Sequence, residues 1–365
     1  MQGYMTKRFA WAAAALGIAA APAAAQVSRL GAACNDVGLP QSARETCITV
    51  AQAVESAQPQ LGIVLTGGNP TLGTASTGGI RLGLLPRVSA TAKANLVFVR
   101  LPDILAESAG GAAQTLNDAT GIPVPALSGT ASIGVYPGIS LAPTVGGVGA
   151  VDLLGSASWL PLSTFDVEGF DEDTPGFSYG VGARLGLLRE SFTMPGVSVS
   201  LMYHKLGTVT YGNVCEDPGL GGVTARGDGY VATVGPCLGG GGDPGEFSLD
   251  LSSWSSRAAV SKRLLGLGLT AGVGYDRVDS DVGFGLRSRC PLVGGDCYFR
   301  ASGLEVDNGR WSGFVNGSFT LLFASMGAEV GWLQGEQAID GFPAASDFEP
   351  ENGTFFGSLG FRLAL

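Results

Sequence analysis

A closed antiparallel β-barrel spanning a membrane is the fold this 365-residue sequence predicts, on three observations. The chain opens on an export leader, much of its length alternates with a period of two, and the face opposite the apolar one is small rather than charged. Composition agrees, since 59 glycines and 19 prolines are spread through apolar segments and only 14% of residues are charged. Glycine weakens a helix interior by about 1 kcal/mol relative to alanine, which disfavours a long helical bundle. A mean hydropathy of +0.28 disfavours disorder, and the absence of a Gly-X-Y period excludes collagen. With 21 basic against 31 acidic residues, the chain lacks the clustered cations of a nucleic-acid footprint, and no nucleic-acid partner is expected.

The leader comes first in the chain. Lys7 and Arg8 precede an uncharged, alanine-rich stretch from Phe9 to Ala20, and Ala23-Ala24-Ala25 supplies a small-residue cleavage site. Residues 1–25 therefore read as a signal peptide. The apolar stretch is shorter than the roughly 20 residues a spanning helix needs. Export makes the six cysteines legible as three local pairs: Cys34 with Cys47, Cys215 with Cys237, and Cys290 with Cys297. Near neighbours close loops at the lowest entropic cost, so these pairs are expected to be disulfides. No CxxC occurs and the one histidine, His204, is remote from every pair in sequence, so no metal site is expected. The glycine run Gly239 to Gly242 has no following Lys-Ser or Lys-Thr; it reads as loop, and no cofactor is implied.

Period-two alternation is the strongest signal. Phe177, Tyr179, Val181, Ala183, Leu185 and Leu187 alternate with Ser178, Gly180, Gly182, Arg184 and Gly186. The pattern returns at Val197, Val199, Leu201 and Tyr203 against Ser198, Ser200 and His204, and again along 265–275. These are strands. A soluble sandwich would place Lys, Glu and Thr on its outer face, whereas here the second face is glycine and serine. That suits a membrane barrel with its apolar face on lipid and small residues in a crowded lumen. Segments at about 59–66, 75–85, 88–100, 127–137, 147–160, 176–189, 196–210, 246–261, 264–279, 304–323, 325–336 and 353–365 give about twelve strands, within a range of 10 to 14. An even count puts both ends on the periplasmic side. Short turns near 86, 190–195, 262–264 and 324 then face inward, and long connections at 101–126, 161–175, 211–245, 280–303 and 337–352 face outward. Phe98, Trp159, Tyr203, Tyr275, Trp332 and Phe361 fall where interfacial girdles are expected.

Between leader and barrel, Ser42 three residues before Glu45 is a capping-box pattern, and Pro59 is expected to stop the helix it opens. Residues 26–58 thus form a helical segment on the periplasmic rim or a plug in the lumen, and residues 59–365 the barrel. Too short to be stable alone, the helix has to pack against the barrel.

Several short motifs carry a resemblance. The exported helix, the Asn69-Pro70 turn, Leu188-Arg189-Glu190 leading to Met194-Pro195-Gly196-Val197, and Val260-Ser261-Lys262-Arg263 leading to Gly272-Val273-Gly274-Tyr275 resemble a poorly characterised group of outer-membrane barrels. That group is similar to the long-chain fatty-acid channel family, whose fourteen strands and N-terminal plug exceed the twelve strands readable here. The terminal strand Phe355, Gly357, Leu359, Phe361, Leu363, Leu365 is similar to the signal read by the barrel-assembly machinery, although that signal prefers a terminal aromatic. The resemblance implies a bacterial outer-membrane location, with lipid, lipopolysaccharide and the assembly machinery as partners. It also implies uptake of a small hydrophobic or amphipathic solute. By alternation Arg81, Lys93, Arg184, His204, Arg257, Glu329 and Arg362 face the lumen, as ion pairs or as contacts to a solute; their basic excess favours an anionic one. A structural or surface-interaction barrel is the alternative. A lipid hydrolase ranks third, because His204 and the serines Ser198 and Ser200 face inward whereas such an enzyme needs its histidine toward lipid; no catalytic residue is assigned.

Overall fold

The computed structural model describes residues 31, 34–35, 41–76, 87–100, 102–103, 114–115, 122–141, 146–161, 176–227, 230–238, 242–243, 245–264, 266–289, 295–337 and 349–364. The expected signal peptide, Arg81 and Cys290 lie outside these residues, as do most of the connections 161–175 and 337–352.

Among the described residues the helix α1 (Gln41–Thr66) is followed by fifteen strands. Ten of them close a barrel: β1 (Arg87–Val99), β4 (Ile122–Tyr136), β5 (Ala150–Trp159), β6 (Phe177–Leu188), β7 (Gly196–Leu206), β11 (Gly245–Leu264), β12 (Leu267–Arg289), β13 (Asp296–Leu321), β14 (Ala324–Leu333) and β15 (Thr354–Ala364). Each pairs antiparallel with the next in this order, and β15 closes on β1, with Ser89 opposite Ala364 and Val97 opposite Phe356. Closure leaves the barrel no free edge, which a wall in lipid requires. Alternation is observed as expected. Tyr179, Val181, Leu185, Leu201, Leu269, Val273, Val330 and Leu359 are exposed on the outside, whereas Ser178, Ser198, Ser200, Thr270 and Ser358 are buried inside. The outward apolar surface is continuous around the barrel, and Tyr203 on Trp254 and Tyr275 on Trp311 pair with ring centroids 5.1 Å apart at its upper margin. Such a surface belongs in a bilayer.

The barrel has ten strands, at the lower end of the expected 10 to 14 and two fewer than the twelve segments read. The expected strand at 59–66 is the last stretch of α1, and the one at 75–85 begins at Ala75 and Ser76, which are irregular, and continues outside the described residues. A short apolar run such as Gly62-Ile63-Val64-Leu65 has no period of its own to separate strand from helix. Nor does Pro59 stop the helix. Proline removes the N–H that would bond the Glu55 carbonyl and crowds that carbonyl, and here the Gln60 side chain secures the helix one residue further on. Its Nε2 donates to the Ser56 carbonyl at 2.7 Å, and its Oε1 accepts from the Arg100 N–H at 2.8 Å. The helix is thereby tied to the outer end of β1 and continues for two more turns.

The wall is lopsided. β11, β12 and β13 run for 20, 23 and 26 residues, against 10 in β5 and β14, and about ten suffice to cross a bilayer. Their outer halves rise beyond the girdle as a crown. β8 (Val209–Tyr211) adds to β11, while β10 (Tyr230–Pro236) adds to β13 and β9 (Val223–Gly227) to β10. A separate pair, β2 (Pro102–Asp103) with β3 (Gln114–Thr115), lies off the barrel. The connection expected at 280–303 is thus largely strand, and that at 211–245 is strand in part. The first half of α1 packs into the crown, where Ile48, Ala51 and Val54 join Val209, Tyr230, Val282, Phe284 and Phe299 in one apolar core. The Cys34–Cys47 disulfide staples its start and Cys215–Cys237 staples the crown. Cys297 is disulfide-bonded as well.

Candidate functional site: a luminal socket

The described part of the N-terminal segment runs inside the barrel. α1 enters at the crown, meets Arg100 at the outer end of β1, and its continuation descends to Arg362 near the inner end of β15. From Cys47 onward the helix is buried on every side, with Thr49, Gln52 and Gln58 at 0% exposure. A helix carrying such polar residues on buried faces needs polar walls, and the small inward face of the barrel provides them.

The upper tier of this wall caps the helix end. Four carbonyls at a helix C-terminus have no partner within the helix, and here each finds one. Ile63 O accepts from Gly67 N–H at 2.7 Å, Val64 O from Asn95 Nδ2 at 2.9 Å, Leu65 O from Ser158 Oγ at 2.9 Å, and Thr66 O from Lys93 Nζ at 3.3 Å. Lys93 also sets a positive charge at the negative end of the helix dipole. The chain then turns through Gly67, whose φ of +67° suits glycine. Arg257 donates to the Gly68 carbonyl at 2.9 Å and is paired with Asp276 at 2.8 Å. From the opposite side the Glu329 carboxylate accepts the N–H groups of Gly68 and Asn69 at 2.9 and 3.0 Å. Lys93 and Arg257 thus hold the loop's carbonyls while Glu329 holds its amides.

The lower tier continues the grip. Arg184 is paired with Asp152 at 2.6 Å and donates to Thr71. Gly73 lies close over Ser318, and Ala75 N–H donates to Ser261 Oγ at 2.9 Å. Arg362 reaches the Leu72 carbonyl at 3.5 Å.

All six described lumen residues of the sequence reading, Lys93, Arg184, His204, Arg257, Glu329 and Arg362, are buried in the lumen. Five of them contact the luminal segment. His204 does not: its ring lies against Gly180 and Ser156, where a Cβ on Gly180 would fall 2.4 Å from Cδ2. Its Nδ1 has no hydrogen-bond partner among the described residues, and no serine hydroxyl bonds to the ring there. Asp152, Asp276 and Asn95 escaped the sequence reading, yet alternation could have placed them. Asp152 lies between outward Val151 and Leu153, and Asp276 continues the inward parity of Gly272 and Gly274.

Fold and site together define an outer-membrane type of β-barrel whose lumen is filled by its own N-terminal segment. No protein-family model matches the chain, and neither does any curated protein sequence. Solved structures that it resembles are outer-membrane barrels. The outer membrane protease OmpT from Escherichia coli shares 12% identity over 80% of this chain and 100% of its own, with a TM-score of 0.33. The translocator domain of autotransporter NalP from Neisseria meningitidis shares 10% over 86% and 96%, with a TM-score of 0.34. The toluene transporter TbuX from Ralstonia pickettii shares 11% over 83% and 97%, with a TM-score of 0.25. Scores and identities this low carry no inference about activity.

Proposed function

We propose that the protein is an outer-membrane channel for a small hydrophobic or amphipathic solute, closed at rest by its luminal segment. One observation carries this reading: below the helix the segment is held by polar groups, chiefly the Lys93, Arg257 and Glu329 contacts to the backbone of Thr66 to Asn69. Water can replace such contacts on release at modest cost, which an apolar plug would not allow. The hydrophobic character of the solute rests on the resemblance to fatty-acid channels. In this reading outer-membrane lipid and lipopolysaccharide surround the girdle, and the assembly machinery reads β15. Proteoliposome uptake of hexane-sized alkyl solutes, with a disaccharide as control, is the test. Saturable alkyl uptake that speeds up when the socket is weakened supports the channel. Absence of uptake in both forms makes the barrel a structural element of the membrane.

A further inference from the structure

The two tiers of the socket differ in charge balance. In the upper tier Lys93 and Arg257 face Asp276 and Glu329, and Arg257 is paired with Asp276 at 2.8 Å. In the lower tier Asp152 is taken by Arg184, and two further guanidinium groups have no carboxylate within salt-bridge distance among the described residues. Arg362 is buried at 8% exposure, reaches only the Leu72 carbonyl, and its Nε has no partner among the described residues. Arg263, at the inner end of β11, likewise has a buried Nε without one. Arg184, Arg263, Asp152 and Glu190 are the charged neighbours of Arg362. Glu190 is not ion-paired there, since its Oε2 accepts from Ser261 Oγ at 3.3 Å and its Oε1 has no partner among the described residues.

Burying a cation without a counter-charge is costly, and a buried charge is ordinarily met by an opposite one. We infer that Arg362 and Arg263 form a binding site for an anionic group, a carboxylate or a phosphate, at the inner end of the lumen. Planar guanidinium forks suit both groups. The inference deepens the channel reading, on which it rests for the carrier of the anion, by naming the head group of the solute.

Calorimetric titration of the full chain in detergent with hexanoate, hexanol and inorganic phosphate tests it. Hexanoate is expected to bind and hexanol to bind at least about tenfold more weakly. Arg362→Gln and Arg263→Gln should each weaken hexanoate by about tenfold or more, the factor that corresponds to about 1.4 kcal/mol, and Arg362→Lys should recover part of that loss. Arg263, at the rim, serves if Arg362→Gln does not fold. Phosphate binding as tightly as hexanoate with the same variant losses supports the site and makes a free anion, rather than an amphiphile, its ligand. Failure of both anions to bind, or binding indifferent to both arginines, overturns the inference. Hexanoate binding without any solute uptake in proteoliposomes would sink the channel reading and leave this site standing; uptake without anion binding would do the reverse.

Discussion

Glu329 is where the socket can be weakened most selectively. Its two carboxylate oxygens accept from consecutive backbone amides, Gly68 N–H at 2.9 Å and Asn69 N–H at 3.0 Å, and its third contact is Ser358 Oγ at 3.4 Å. In Glu329→Gln one oxygen remains as an acceptor while the NH2 group meets the other amide, donor against donor. A hydrogen bond to a charged group is worth about 1.5–3 kcal/mol, and leaving a buried N–H unpaired costs about 1–3 kcal/mol. The variant should therefore loosen the loop by about 2–4 kcal/mol, which raises its released population roughly 30- to 700-fold at about 1.4 kcal/mol per decade. Hydrogen exchange read by mass spectrometry on peptides covering 64–76 is the assay, with β6 and β12 peptides as internal controls. Faster exchange in the loop with unchanged strands is the expected result. Unchanged loop protection, or protection lost equally in loop and strands, would refute the claim that Glu329 holds the segment in place.

Other substitutions probe the rest of the segment and wall. Gly73 has φ +78° and a Cβ there would lie 2.7 Å from the Ser318 Cβ, so Gly73→Ala should loosen the lower loop by about 2 kcal/mol through left-handed strain and contact; an unaltered exchange rate at 71–76 would count against that seat. Asp152→Asn leaves Arg184 buried without its partner and should cost about 3–5 kcal/mol, visible as a lower urea midpoint in tryptophan fluorescence, and an unchanged midpoint would contradict it. Beyond the membrane, burial raises the Glu336 carboxyl above its ordinary range against the opposing pull of Arg310. A raised folded pKa means that the folded state holds its proton more tightly, so stability is fully present in acid and lost as pH rises through the raised value. The Glu336 amide, which donates to the Pro350 carbonyl at 2.7 Å, should accordingly show a higher opening free energy in acid than at neutral pH; the opposite order would refute the sign.

Much of the barrel was legible because lipid and lumen impose opposite demands on successive residues. Along β6 that conflict is complete, so Phe177 to Leu187 revealed strand, register and inward face together, and the inward placement of Arg184 followed, as that of His204 did from Val197 to Tyr203 along β7. The same logic explains where the reading stopped. Past the girdle the outward face meets water, so β11 to β13 carry Asp250, Asp279, Asp281, Glu305 and Asp307 there, and strands that continue look like loops. The last turns of α1 read as strand because what secures the helix past Pro59 includes Gln60 meeting Arg100, a contact 40 residues away in sequence. Lys93, Arg257 and Glu329 could be placed inward from alternation alone. That they grip the chain's own backbone rather than a solute depends on the path of Gly67 to Ala75, which no local pattern encodes.

The central claim is that the lumen is sealed by a segment that can leave without the barrel coming apart. Single-channel current of the full chain in a planar bilayer, recorded as urea is raised while the β signal in circular dichroism is followed in vesicles, tests it most directly. The account predicts no stable conductance without urea, then stepwise opening at concentrations where the β signal is intact. A steady conductance before any urea is added, or no opening until the β signal itself collapses, would contradict it.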